Sequence, residues 1–411
     1  MISSSNAYQN NTQGDTSTST SIPKISILLF IFGALCLDIN FPRYAGIKTG
    51  NILMLLSLAG SMFLILYKRS WRVPSPVLSS ANRLLVLYIA LAISSAMWAP
   101  SAIEVLFQAT LITTTLICAA TICRADYLIF IRYIYFISAA VAALSILTIF
   151  ISTDLAFQPF SSDDRPELRG VFEHQLRLGL FTGLSLALVA LTLLNGDFKK
   201  AFPNRILVIA SAPIVLITFY MAYARLYSLF IILSFIIAIC FSRSTFTKWL
   251  TTAAVVSAVV LAIIYQPYLE SLLGGAGVDT SLTGRTTIWL KSIEEASNQP
   301  LIGHGFAAFD SPEYDWMWGG FYRPPHPHNS FIQAYFENGL IGLILIITLA
   351  CSHLALSAKK LRSEGRYSYT LFMTTILVLG SLTGANYASK PATLFCIAIL
   401  FISAKIYRLE K

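Results

Sequence analysis

Charge is what this 411-residue chain has least of: Asp, Glu, Lys and Arg make up 12% of it, about half the share usual in a soluble globular protein. Hydrophobic residues make up 56% and mean hydropathy is +0.68, so most of the chain has lipid as its solvent. Cysteine is scarce as well. The six, at 36, 118, 123, 240, 351 and 396, all fall in or beside apolar runs, which argues against a disulfide scaffold and a Cys-based zinc site. Residues 1–23 hold no Lys or Arg and no cleavage motif, and their Ser, Thr, Asn and Gln content reads as a disordered tail rather than a signal peptide. There is no P-loop, no Gly-rich dinucleotide turn, no outer pair of aspartates for a divalent metal and no internal repeat. These absences exclude a soluble enzyme, a secreted disulfide protein and, despite the net charge of +9, a nucleic-acid-binding domain.

What the chain has is long apolar runs and aromatics, with 27 Phe and 19 Tyr. A bilayer core about 30 Å thick takes roughly 20 apolar residues per helix. Runs of that kind lie near 25–40, 51–67, 83–98, 104–123, 128–151, 177–194, 205–223, 225–241, 247–265, 329–350, 368–387 and 391–407. The first is weak, closed by Asp38 and Asn40. The seventh and eighth form one apolar run far too long for a single crossing, so a tight hairpin with Arg225 at its turn is expected. The predicted fold is an all-α polytopic membrane protein of about 12 transmembrane helices. With both termini cytoplasmic, nineteen of the 29 Lys and Arg residues fall inside, as the positive-inside rule requires.

The expected organisation is a tail at 1–23, spans one to nine over 24–265 with an outer loop at 152–176, a large periplasmic loop at 266–328 and the last three spans over 329–411. The large loop carries Trp289, Phe306, Phe309, Tyr314, Trp316, Trp318 and Phe321, too many aromatics for a disordered segment. Within it 283–297 reads as an amphipathic helix capped by Thr283, with Ile288, Ile293 and Ala296 on the apolar face and Glu294–Glu295 facing water.

The chemistry-bearing residues gather on the outer side: His174, His304, His326 and His328 with Arg169, Arg177, Arg225 and Arg285. His326-Pro-His328-Asn329-Ser330 leads into span ten, where Asn329 or Ser330 is the expected cap and Gly339 and Gly342 would let neighbouring helices approach. At a helix N-terminus His328 is held neutral, as a general base requires. Several guanidiniums around one face suit a pyrophosphate, which arginine grips bidentately. Each residue alone has a plainer role. Arg225 suits an interfacial anchor, Arg285 a solvated helix start, His304 a turn and His353 a structural role, and the His-x-His pair lacks the third ligand a zinc site needs.

Three segments in order carry a resemblance: Tyr223-Ala-Arg225-Leu-Tyr-Ser, then Leu282-Thr-Gly-Arg285-Thr-Thr-Ile-Trp289 with Pro300-Leu-Ile-Gly303-His-Gly305-Phe306, then His326-Pro-His328-Asn329 with Gly339-Leu-Ile-Gly342. In these, over 205–328 and 329–411, the chain resembles the O-antigen ligase / polysaccharide polymerase superfamily of bacterial inner-membrane proteins. The resemblance implies a glycan donor on undecaprenyl pyrophosphate at the periplasmic face, and inverting transfer without metal or cofactor. It gives Arg225 and Arg285 the pyrophosphate and His328 the acceptor hydroxyl, as base or as holder, with His326 and Asn329 orienting the site. Arg169 and Arg177 join as substrate-binding residues on charge placement alone. The acceptor is another lipid-linked repeat in a polymerase or lipid A–core in a ligase, and other polysaccharide assembly proteins are possible partners. Leu282–Trp289 with Gly303-His-Gly-Phe-Ala-Ala-Phe is closer to exopolysaccharide polymerases of the succinoglycan type, so a polymerase is expected. A secondary transporter is the alternative from another class, opposed by ionisable groups that gather outside the membrane rather than at its midplane.

Overall fold

A computed structural model describes residues 22–41, 43–44, 47–67, 79–158, 166–241, 285–319, 323–359, 364, 366–387 and 391–410. The expected ninth span at 247–265, Thr283 and nearly all of the 1–23 tail lie outside these residues.

Helices dominate. Apart from two four-residue helices, Thr153–Ala156 and Phe198–Ala201, they are in chain order α1 (Lys24–Cys36), α2 (Thr49–Tyr67), α3 (Ser80–Ser94), α4 (Ala102–Ile122), α5 (Tyr127–Ile151), α6 (Gln175–Asn195), α7 (Arg205–Met221), α8 (Arg225–Cys240), α9 (Arg285–Ala296), α10 (Ser330–Ser357), α11 (Tyr369–Ser381) and α12 (Thr393–Leu409). All but α9 overlap an expected span. Five of them, α2, α4, α5, α6 and α10, are long and apolar enough to cross a membrane. The departure from an all-α fold among the described residues is a hairpin of two-residue strands, Arg43–Tyr44 paired antiparallel with Ile47–Lys48.

Local chemistry sets the helix starts. Ser79, Ser101, Asp126, Asn204, Asn329 and Ser368 each accept a first-turn N–H that has no partner within its helix. Inside α4 the hydroxyls of Thr110, Thr113, Thr114, Thr115 and Thr121 bond back to carbonyls four residues earlier, so none meets an apolar surround unpaired. α12 is buried along its whole length from Thr393 to Ile406, and α11 nearly so, and α1, α4, α8 and α10 pack directly on one or both of them. The outer surface is apolar: Leu56, Phe63, Leu144, Phe150, Ile206, Ile209, Leu229, Ile232 and Ile344 are all more than half exposed. Large apolar side chains left exposed on so many helices, five of them long enough to span, suit a multi-pass membrane protein.

Three details differ from the sequence reading. α7 ends and α8 begins around Tyr223, whose φ is +50°, but the two arms pack on α6 rather than closing as a tight hairpin on each other. Span ten is broken at Gly339, where φ is +60° and ψ −161°. The groups freed by this break bond to a loop, not to a neighbouring helix. Leu340 and Ile341 donate to the carbonyls of Pro300 and Leu301, and His304 and Gly305 donate to those of Phe336 and Glu337. A side chain at Gly339 would sit 2.3 Å from the Leu301 carbonyl, so the glycine is required by this backbone contact. On α9 the buried residues are Ser292 and Ala296, whereas Ile293 is 41% exposed. Glu294 faces solvent as expected, but Glu295 is turned inward to His304.

Residues 285–319 fold on a small core of Ala296, Ala308, Phe309, Met317 and Trp318, closed by Phe336 of α10. Of the loop aromatics, Phe309 and Trp318 belong to this core and Tyr314 packs against it, whereas Phe306 belongs to the main core and Trp316 is exposed.

Candidate functional site

α1 and α11 have 13 residues each, about 20 Å of helix, short of the roughly 30 Å apolar thickness. The chain just beyond both, Leu37–Asp38 and Thr383–Ala385, lines a cavity of about 500 Å³. Arg177, Arg285, His174, His326 and His328 also line it, with Tyr227, Asp38, Lys48, Glu173, Glu104, Gln108 and Asn51.

Arg177 sits in the first turn of α6. Its Nη1 donates to Oδ1 of Asn386 at 3.0 Å, and its Nε stands 3.5 Å from Oδ1 of Asp38. Asn386 donates in turn to the Tyr227 hydroxyl and the Gly380 carbonyl. The guanidinium is therefore aimed by three helices. Arg285 opens α9, and burial pulls its pKa down while Tyr227 pulls it up; an arginine stays charged throughout.

His174 caps α6 with Nδ1, which accepts the Leu176 N–H at 3.2 Å. The neutral ring therefore carries its proton on Nε2. Burial first, then Arg177, Arg285 and Arg169, bring its pKa down to about 4. His328 is brought down to about 4 by the same sequence of causes: burial, Arg285, Arg177 and His174. Both imidazoles are neutral at pH 7.

The His loop is pinned at both ends. Trp289 of α9 donates to the Pro327 carbonyl at 2.8 Å. Asn329 caps α10 through Oδ1 and donates from Nδ2 to Leu382. His328 itself has φ +54°, an uncommon conformation for a non-glycine residue, and its N–H donates to Nδ1 of His326 at 3.2 Å. The two imidazole rings meet edge to face, 4.3 Å between centroids.

The structure thus brings Arg177, Arg285, His326 and His328 to one cavity. It does not bring the remaining three expected site residues into the described lining. Arg225 is exposed at the start of α8, its guanidinium 4.1 Å from the centre of the Tyr223 ring. Arg169 donates to the carbonyls of Asp154 and Leu155 and holds that turn. Asn329 is engaged in capping. His304 is a buried residue of the loop core, between Tyr314 and Phe336, with Nε2 3.0 Å from the Glu295 carbonyl. His353, buried between the Tyr387 hydroxyl and Asn82, is structural.

Sequence reasoning grouped His174 with the outer histidines but gave it no role, and it missed Tyr227, Asp38 and Glu104 as lining residues. Asp38 did give a signal: a carboxylate at the end of an apolar run is more often functional than a flaw in a span. Among the described residues no group of three or more His, Cys, Asp or Glu is placed to hold a metal ion.

Residues 206–347, from the start of α7 to the middle of α10, match the family described as O-antigen ligase. Over that region the chain is similar to the O-antigen ligase family. The exopolysaccharide production protein ExoQ of Rhizobium meliloti (strain 1021) is 39% identical over 113 residues. That match covers 26% of each chain, so this chain spans about a quarter of the relative's length. The family region supplies Tyr227, Arg285, His326 and His328 to the cavity, while Asp38, Glu104, His174 and Arg177 come from outside it.

Proposed function

We propose that this chain is a membrane glycosyltransferase of surface polysaccharide assembly. It moves a glycan from undecaprenyl pyrophosphate to a sugar hydroxyl, at a cavity open to the periplasm of the bacterial inner membrane. The observation that carries the proposal is the convergence of Arg177 and Arg285 with two neutral imidazoles in one recessed cavity. Two guanidiniums suit a pyrophosphate, whose leaving charge they neutralise as the glycosidic bond breaks. The depth of the cavity, set by the short α1 and α11, suits a head group whose polyprenyl chain stays in lipid. Positive-inside counting supports the periplasmic orientation. The arginine pair we assign to the donor is Arg177 and Arg285, because Arg225 stands outside the described lining.

We infer a polymerase, extending one lipid-linked repeat with another, on the likeness to an exopolysaccharide production protein. A ligase attaching the glycan to lipid A–core is the second reading, favoured by the description of the matched family. The test is a deletion strain complemented with wild-type or His328→Ala protein, its surface glycan and lipid-linked intermediates resolved by gel and mass spectrometry. Single repeats held on the carrier mean a polymerase, and long chains on the carrier beside bare lipid A–core mean a ligase. Full complementation by His328→Ala, with an unchanged profile, would sink both. The purified wild-type reaction is expected to run in EDTA.

A further inference from the structure

One wall of the cavity has no part in holding a pyrophosphate. Glu104, Phe107 and Gln108 of α4 and Asn51 of α2 line it. Ser101 caps α4 by accepting the Glu104 N–H, a Ser-x-x-Glu start in which the glutamate side chain ordinarily reaches back to the cap's own N–H. Here the carboxylate is held on its own helix instead: Oε1 accepts a 2.7 Å bond from Nε2 of Gln108, a residue only 6% exposed. Three other carboxylates line the cavity, and each has a cation: Arg177 for Asp38, Lys48 for Glu173 and Arg323 for Asp310. Among the described residues Glu104 has none, and it stands exposed in the first turn of α4.

An anion there opposes the bound phosphates and suits something else. Carboxylate and amide side chains beside an aromatic face are what sugar hydroxyls and sugar rings call for. Arg177, Arg285, His174 and His328 form a cluster in the same cavity. His328 is in that cluster, which makes it a poor base. In the free protein, taking a proton would make it a third cation beside Arg177 and Arg285. With pyrophosphate bound, the phosphate oxygens would favour imidazolium, a proton donor on the leaving-group side.

We propose that Glu104 is the general base that takes the proton of the acceptor sugar hydroxyl, with Gln108 and Asn51 orienting that sugar. This rests on the glycosyl-transfer reading above. In the step, the acceptor O–H bond breaks and its proton passes to a carboxylate oxygen of Glu104. The hydroxyl oxygen bonds to the anomeric carbon from the face away from the leaving group. The bond from that carbon to the pyrophosphate breaks, and its electron pair stays on the phosphate, beside Arg177 and Arg285. All four residues of this wall lie outside the matched family region. The division is a reasonable one: a shared region handles the shared donor group, and the rest of the chain meets the acceptor.

The test uses full-length protein in nanodiscs and the lipid-linked glycan extracted from the deletion strain, which serves as both donor and acceptor. Glu104→Gln keeps the shape and the Gln108 contact while removing the base. Its transfer rate is expected to fall about 100-fold or more, the usual yield of general base catalysis. Sodium azide, a nucleophile that has no proton to lose, is expected to restore donor consumption and release glycosyl azide, which also shows the variant to be folded. Transfer at the wild-type rate by Glu104→Gln, or loss of activity that azide does not restore, would overturn the assignment. Wild-type protein that leaves the lipid-linked glycan untouched would instead overturn the transfer reading itself, and this inference with it.

Discussion

Replacing Arg177 by Met separates what the cavity's arginine does for the fold from what it does for a ligand. Its guanidinium stands 3.5 Å from the Asp38 carboxylate, with side chains 19% and 12% exposed, and it donates to Asn386. At that distance and an effective dielectric constant of about 20, the attraction is about 5 kcal/mol. Desolvation of both ions offsets much of it, so the pair's net contribution is small. Removing one partner is a different matter, because the second ion keeps its burial and loses its compensation; breaking such pairs costs about 3–5 kcal/mol. Arg177→Met is therefore expected to destabilise the protein by about 3 kcal/mol, at the lower end of that range because the 3.5 Å contact is not ideal. Asp38→Asn on the same chain should recover most of that loss, since no charge is then left unpaired. It should not recover donor turnover, which needs the guanidinium. Thermal unfolding in detergent and turnover of the extracted lipid-linked glycan would be measured for both single variants and the double, as a cycle. An unchanged unfolding temperature for Arg177→Met would refute the energetic argument. Full turnover by the double variant would remove Arg177 from the donor site.

Two more outcomes follow from the same geometry. His174 and His328, with pKa values of about 4 against an ordinary 6.5, bind fewer protons folded than unfolded between those limits. Stability is then full above about pH 6.5 and falls on acidification through pH 4, by up to about 3 kcal/mol for each ring; unfolding profiles that stay flat from pH 7 to pH 4.5 would contradict this. Gly339→Ala puts a methyl group at φ +60° and 2.3 Å from the Leu301 carbonyl, so a loss of at least about 2 kcal/mol is expected, and an unaltered unfolding temperature would count against the described helix break.

Much of the helical layout was legible because membrane spans are long and apolar, and a run of about 20 such residues is seldom anything but a bilayer crossing. The helix α9, though not its buried face, the cap at Asn329 and the gathering of Arg177, Arg285, His326 and His328 were legible too, because caps and charge placement are local signals. What was not legible depended on long-range contacts. Span ten reads as one apolar run, and nothing local says that Gly339 breaks it; the break exists because Pro300–Gly305 supplies partners for the freed backbone groups. Glu295 looked solvent-facing beside Glu294, and only the approach of His304 turns it inward. Arg225 and Arg169 counted as outer cations in the sequence, but charge placement does not say which way a guanidinium points.

The same limit is why half of the cavity escaped notice. Asp38 looked like a fault that weakened the first span. Glu104 looked like the ordinary acid of a helix start, favoured there by the macrodipole. Both are accounted for once helix lengths are considered. α1 stops after 13 residues, so Asp38 arrives well short of a full bilayer thickness and meets Arg177, two residues beyond the start of α6. α11 stops after the same number, and Thr383–Ala385 complete the floor. A polar residue closing a short apolar helix is therefore not evidence against the span. Where two such helices end at one depth, their polar ends mark the floor of a site, and the first-turn residues of the longer helices around them, Glu104 of α4 and Arg177 of α6, form its walls.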